Sequence, residues 1–244
     1  MYSQVSIIIP TLNESDSLQQ TLDNLALLDP PPLEIIIVDG GSQDNTVEIA
    51  KQAGIPVLVC ERYGRSQQMN LGAEKASGDY LCFVHADTLV PNDLNLLITQ
   101  TLSDRTIACG GFISIMSGRY KTQWATSLHN YLKTYYAAII FRPHLFVKGL
   151  RILFGDQVMF CRRDDFIDCG GFDPQLPIME DADLCIRLVQ YGRIYLVDRL
   201  VQSSDRRVAK WGWLKANAIY LYIGCLWGIG VSATYLKQFY KDVR

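Results

Sequence analysis

The sequence has no excess of either charge: 23 Lys and Arg stand against 25 Asp and Glu in 244 residues. A chain so balanced has no bulk basic footprint, which excludes general nucleic-acid binding by charge. It also lacks paired cysteine spacing. The seven cysteines are odd in number and none forms a C-x-x-C, so neither a disulfide scaffold nor a zinc site is expected, and the thiols read as reduced core residues of a cytosolic protein. There is no internal repeat, low-complexity tract or linker. The amino terminus has no basic run, and the apolar stretch Val5–Ile9 stops at Pro10, which does not read as a secretory leader. With 49% apolar and 20% charged residues, disordered and fibrous classes are excluded too.

What remains is a regular alternation. VSIIIP (5–10), EIIIVD (34–39), PVLVC (56–60) and DYLCFV (79–84) are short apolar runs that read as buried strands. Between them, 15–28 carries Leu18, Leu22, Leu25 and Leu28 at helical spacing before three prolines, and 46–53 and 65–76 also read as helices. Pro91 is expected in the first turn of the next helix. Strand–helix–strand order with evenly apolar strands predicts an α/β fold whose parallel sheet is covered on both faces. Beyond residue 105 the pattern loosens into strands at 107–115, 157–163 and 194–197, and helices at 122–140 and 179–191.

Ligands of such sheets bind beyond the carboxyl ends of the strands, so the polar residues there carry the reading: Thr11, Asn13 and Glu14, then Asp39, then His85 and Asp87. Asp39, beside two glycines that let a backbone approach a ligand, could accept from a base or a ribose hydroxyl, or could cap the next helix; Asp44 is the better cap. Asp87 suits a hard divalent cation, Mg²⁺ or Mn²⁺, with a diphosphate completing its shell. His85 points to the same side of an extended chain, as a cation ligand, a donor to phosphate, or a histidine satisfied by the backbone. Glu180, Asp181 and Asp183 open a helix behind a glycine-rich loop; the helix dipole favours acids there, yet so much like charge is where a general base is expected. The turn Gly155-Asp156-Gln157 is a candidate for acceptor or sugar contacts, and Arg206 and Arg207 for phosphate or an anionic acceptor, with a structural turn and solvated surface charge as the other readings.

SIIIPTLNE, VDGGSQDNT, a G-D-Y-hydrophobic stretch ending in H-A-D, and GGFDPQLPIMEDADL occur in this order over about residues 1–200. Together they resemble glycosyltransferase family 2, the inverting type built on the GT-A (nucleotide-diphospho-sugar transferase) fold. The resemblance implies a mostly parallel central sheet flanked by helices. It implies transfer of one sugar from a nucleotide-activated donor, a UDP- or GDP-sugar, to an acceptor hydroxyl with inversion and with a divalent cation as cofactor. Pro10, Thr11, Asn13 and Glu14 match the segment around base and ribose, Asp39 the acid that reads the base, and Arg65 a basic residue over the nucleotide. Asp87 matches the last acid of the D-x-D metal motif, and Asp181 the catalytic base, with Glu180 beside it.

Two departures stand out. His85 occupies the place of the first Asp of D-x-D, as in a bacterial subset with H-A-D. The Q-x-x-R-W motif of processive synthases is missing, with Ser204-Asp205-Arg206-Arg207 and Trp211 only an echo of it, which favours single transfer. Two other readings compete with this one. A nucleotidyltransferase of similar fold would need a glycine-rich basic loop where TLNESDS stands. A non-catalytic nucleotide- or membrane-binding protein would not need Asp39, Asp87 and Asp181 together. The string HAD is no hydrolase signature, because the D-x-D-x-T loop of that class is absent.

The division expected is a transferase domain over 1–205, with a nucleotide half at 1–105 and an acceptor half at 106–205, then a hydrophobic, aromatic helical extension over 206–244. Within it, Ala216–Leu236 holds 21 residues without a charge, long enough as a helix to span a bilayer but interrupted by three glycines. It could dock on the domain or in a homodimer, lie on a membrane, or span one. Its aromatics and nearby basic residues suit an anionic membrane face, hence a lipid or lipid-linked acceptor and a place at the inner face of the plasma membrane.

Overall fold

The computed structural model describes residues 4–61, 64–118 and 121–240. Its first half alternates as the sequence predicts: β1 (Val5–Thr11), α1 (Leu18–Leu25), β2 (Glu34–Asp39), α2 (Thr46–Gln52), β3 (Val57–Val59), α3 (Arg65–Lys75), β4 (Tyr80–Phe83), β5 (Thr88–Leu89) and α4 (Leu94–Ser103). The second half holds β6 (Ile107–Ser117), α5 (Trp124–Phe141), α6 (Pro143–Phe146), β7 (Phe160–Arg162), α7 (Arg163–Asp168), α8 (Glu180–Leu188), β8 (Arg193–Ser204), α9 (Arg206–Trp211), α10 (Trp213–Gly228) and α11 (Ala233–Leu236).

All the strands join one eight-stranded sheet in the order β3-β2-β1-β4-β7-β6-β8-β5. Four neighbouring pairs are parallel and three, all involving β5 or β7, antiparallel. The parallel strands are apolar throughout because both faces are covered. Along β1, Ile7 and Ile9 enter one core with Leu18, Leu22 and Leu25, while Ile8 enters the other with Met69 and Ala73 of α3. Five of the seven cysteines are buried and all seven are free thiols.

Several expectations are corrected. Pro91 precedes the helix: its carbonyl accepts from Leu94 N–H, and α4 starts at Leu94. The strand expected at 157–163 shrinks to Phe160–Arg162, because Gly155–Gln157 forms a 3₁₀ turn and Val158 adopts a left-handed conformation (φ 51°). The short strand at 194–197 extends to Ser204; its later half buries Val201 and Ser203 and exposes Leu200 and Gln202, a half-buried alternation rather than an apolar run. Ala216–Leu236 is not one helix. α10 stops at Gly228, the chain reverses through Gly230 (φ 99°), and α11 is four residues long. Among the described residues no helix is long and apolar enough to cross a membrane. α10 instead packs along α5, and Ile223, Ala233 and Leu236 close a small core over Ile178. The close approach needs Gly228, since a Cβ there would meet the Phe141 ring at 2.4 Å.

Candidate active site

The carboxyl ends of β1 and β4, the first turn of α8, the 3₁₀ turn and the inner faces of α5 and α10 enclose a cavity of about 590 Å³. Eleven of the predicted residues line it: Pro10, Thr11, Glu14, Arg65, His85, Asp87, Asp156, Glu180, Asp181, Arg206 and Arg207. Asn13, Asp39 and Gln157 are not in its wall.

β5 does more than its two residues suggest. It follows Asp87 directly and pairs with β8 at Thr88–Ser203 and Leu89–Gln202, which brings Arg206, just past β8, to the end of β4. The Arg206 guanidinium contacts Glu14 and Asp87 at 2.8 Å each. One cation thus bridges two acids from separate strand ends. Burial raises the Glu14 carboxyl above its usual range despite Arg206.

Asp181 lies on the other side of His85. It sits in the first turn of α8 behind Met179, a non-glycine residue held left-handed (φ 67°), a conformation that costs about 1 kcal/mol or more and collects at functional sites. Burial and the adjacent Glu180 push the Asp181 carboxyl up to about 8, against Arg65 and the Gly155 amide, which favour its charge. Arg65 pairs with Glu180 at 3.4 Å. Gly155 presses on both partners: a Cβ there would stand 2.5 Å from the His85 ring and 3.0 Å from Asp181 Oδ2. Burial and the nearby Arg65 lower His85 to about 3, so the imidazole is neutral at physiological pH, and its Nε2 accepts from the Arg65 guanidinium at 3.4 Å.

The residues outside the wall work on loops. Asp39 accepts from Gly41 N–H, Ser42 N–H and the Ser42 and Thr11 hydroxyls, fixing the turn after β2. Asn13, left-handed at φ 54°, accepts from Gln43 N–H and donates its own N–H to Ser42, tying that turn to the loop after β1. Gln157 is buried, bonded to Thr134 and the Phe154 N–H. Asp44, expected to cap α2, stands one residue before the N-cap position Asn45, which makes no side-chain cap bond; it accepts from Thr46 N–H and Ser15 N–H, an Asx-type turn that ties two loops.

Sequence reading missed the far wall. Asn130 donates to Asp156, whose carboxyl is raised by burial although Lys133 opposes this. Lys133, lowered to about 8 by burial against the pull of Asp156, lies 3.5 Å above the Phe154 ring. Arg207 bonds the Tyr240 hydroxyl and stacks 4.2 Å from its ring centroid. A signal was present: Thr126, His129, Asn130 and Lys133 recur at helical spacing, a polar stripe facing inward.

These strand-end acids, the glycine-rich turn after β2 and the acid pair of α8 lie in or beside the stretch matched by a family model, Glycosyl transferase family 2, over residues 6–171. The chain belongs to glycosyl transferase family 2. Within the family it is 37% identical over 108 residues to the uncharacterized glycosyltransferase YibD of Escherichia coli K12, covering 42% of this chain and 31% of that protein. It is 35% identical over 94 residues to a poly-beta-1,6-N-acetyl-D-glucosamine synthase of Staphylococcus aureus, covering 36% of this chain and 23% of that one. The matches therefore span about a third or less of these curated relatives. Among solved structures, a mannosyltransferase from Pyrobaculum calidifontis in complex with GDP-Man and Mn²⁺ aligns with TM-score 0.70 at 19% identity, over 92% of this chain and 63% of that one. Glucosyl-3-phosphoglycerate synthase from Mycobacterium tuberculosis, in complex with Mn²⁺, UDP and phosphoglyceric acid, aligns with TM-score 0.63 at 21% identity, over 94% and 79%. At such identities the likeness is one of fold, and it places this family 2 chain on the GT-A architecture.

Proposed function

We propose that this chain moves a single sugar from a nucleoside-diphosphate donor to an acceptor hydroxyl with inversion at the anomeric carbon. The observation that carries the reading is Asp181: a buried carboxyl with its affinity for a proton raised toward neutrality, facing the same cavity as the strand-end acids. The acceptor oxygen attacks the anomeric carbon, the bond from that carbon to the diphosphate oxygen breaks, and the acceptor proton passes to Asp181. Glu180 and its partner Arg65 hold the charge around Asp181. The nucleotide lies along β1, β2 and β4, with Thr11 and Glu14 in the cavity wall and Asp39 and Asn13 shaping the loops behind it.

A divalent cation fits the donor side. Asp87 supplies a carboxylate and His85 a neutral imidazole; Arg206, paired with Asp87 Oδ2 at 2.8 Å, would share or release that oxygen when the ion binds. Among the described residues no cluster of three or more His, Cys, Asp or Glu could cage a metal, so the ion would share its shell with diphosphate oxygens. When bound, it neutralises charge on the leaving diphosphate. Mn²⁺ in the mannosyltransferase and the phosphoglycerate synthase supports the same choice here, as GDP-Man and UDP support a GDP- or UDP-sugar.

Asn130, Lys133, Asp156 and Arg207 line the acceptor side, where a cationic wall suits an acceptor carrying a negative group, in our reading one attached to a lipid. The test is calorimetric titration with UDP, GDP, CDP and dTDP, with and without Mn²⁺, followed by NMR of the product's anomeric centre. Metal-dependent binding of one nucleotide and an inverted product are expected. Retained configuration overturns the mechanism.

A further inference from the structure

Charge is divided unevenly along this nearly neutral chain. Residues 121–151 and 206–240 together hold ten Lys and Arg and no Asp or Glu, which leaves thirteen cations against all 25 acids elsewhere. These two segments are α5–α6 and α9–α11, and they pack on each other. Asn217 of α10 pairs with His129 and Thr126 of α5, and one helix length further on the Gly228 carbonyl accepts from Arg142. The two helices therefore run side by side in the same direction.

Their outer side is apolar. On α5, Trp124, Leu128, Leu132 and Ile139 are exposed at steps of four and seven; on α10, Leu214 and Leu221 are exposed. Trp124 is 68% exposed and Leu214 67%. Helical periodicity, with Asn217 and His129 fixing the contact line, puts both stripes on one side of the pair. Exposed apolar faces of this extent mark an interaction site. Four exposed lysines belong to the same two segments: Lys121 and Lys148 flank α5–α6, and Lys210 and Lys215 lie on α9 and α10.

We propose that the α5–α10 face is a docking surface for an anionic lipid bilayer, lying in the interface without crossing it. Apolar side chains with tryptophans enter the headgroup boundary while the lysines neutralise acidic headgroups. A second copy of this chain would bring the exposed lysines of the two copies against each other, so charge favours the anionic surface. The docking also gives the cavity a use for its position, and in that respect it rests on the lipid-linked acceptor proposed above. The inner sides of the same two helices form the acceptor wall. A smaller apolar pocket between them, lined by Phe141, Leu221 and Trp227, shares Lys133, Phe154 and Gly224 with the main cavity.

The experiment is co-sedimentation of the full chain with vesicles of phosphatidylcholine alone or mixed with phosphatidylglycerol, with calorimetric nucleotide binding as the control. Binding is expected only to the anionic vesicles, weakening as salt rises. Two variants change it: Leu128→Asp with Leu132→Asp, and Lys210→Glu with Lys215→Glu. Each is expected to weaken vesicle binding by about tenfold or more while nucleotide binding stays as in wild type. Should the leucine pair fail to fold, the lysine pair, which alters only the exposed rim, decides. The proposal is overturned if wild type binds no vesicles, binds neutral and anionic ones alike, or binds equally after both changes. It is also overturned if wild type is a stable dimer that Leu128→Asp with Leu132→Asp dissociates. Vesicle binding and nucleotide binding are separate readouts, so the loss of either leaves the other interpretable.

Discussion

The two walls of the cavity are built by different means. On the donor side, parallel strands stop in register and hand polar residues to one edge: Thr11 ending β1 and Glu14 after it, His85 and Asp87 after β4. Each position follows from where an apolar run ends. On the acceptor side, a helix face (α5), a 3₁₀ turn and a returning carboxyl-terminal segment bring together Lys133, Asp156, Arg207 and Tyr240, which are far apart in sequence. The donor wall concentrates acids bridged by one arginine, while the acceptor wall concentrates cations around one buried acid. Asp181 stands where they meet, which is where a proton must move if the sugar crosses from one wall to the other. The contrast gives each wall its own expected failure.

The largest effect is expected at the junction. Asp181→Asn should lower transfer by a hundredfold to about ten-thousandfold, the usual worth of a general base, with nucleotide binding preserved. Loss of both would place Asp181 in binding instead. Stability separates this from unfolding. A carboxyl whose folded value is about 8 against roughly 4 unfolded favours the folded state at low pH, and that contribution is lost as pH rises from about 4 to about 8. Asp181→Asn should therefore melt no lower than wild type at pH 8, as thermal unfolding would show. The same raised value predicts a wild-type rate that climbs with pH, about tenfold per unit well below pH 8, and levels above it. A flat profile from pH 6 to 9 would remove Asp181 as the base.

Next come the walls themselves. Asp87→Ala should weaken Mn²⁺-dependent nucleotide binding about tenfold, read by calorimetry, and leave metal-free binding almost unchanged. Lys133→Met should do the opposite: acceptor KM up severalfold through loss of one charged contact, donor affinity unchanged. If either variant disturbs the other side's ligand, the division into two walls fails.

That division also explains what could be read beforehand. β2 was located to the residue, and β1 and β4 to within one, because a strand covered on both faces must be apolar throughout and must end where polar residues begin. Asp87, Glu14 and Asp181 could be named because strand ends and the first turn of a helix are local features. Lys133 and Tyr240 could not, since nothing local in their segments says which helix will turn its polar stripe onto which strand. β8 was underestimated because Val201 and Ser203 alternate with exposed residues and so break the apolar run. Asp39 carries both features: its type and position match a ligand-binding role, and its three hydrogen bonds within the loop, with one more from Thr11 of β1, also hold the turn behind the wall.

The smallest effect tests that last distinction. Asp44, one turn further along the same loop, accepts from the Thr46 and Ser15 amides, and the bonds from Thr46 and Ser15 hold its carboxyl down at about 2 although desolvation opposes them. Removing such local hydrogen bonds costs about 1 kcal/mol, so Asp44→Ala should lower the unfolding midpoint modestly with nucleotide affinity changed by less than about twofold. The depressed carboxyl gives the pH sign: its stabilisation is present above about pH 4 and disappears as pH falls through about 2, so variant and wild type should converge in acid. Asp39→Asn serves as the comparison. It keeps the acceptor oxygen for one amide but loses charge at the turn that backs the nucleotide wall. If Asp39 only shapes the loop, its variant should follow Asp44→Ala, with stability falling and affinity holding. If it also meets the base or ribose, affinity should fall first.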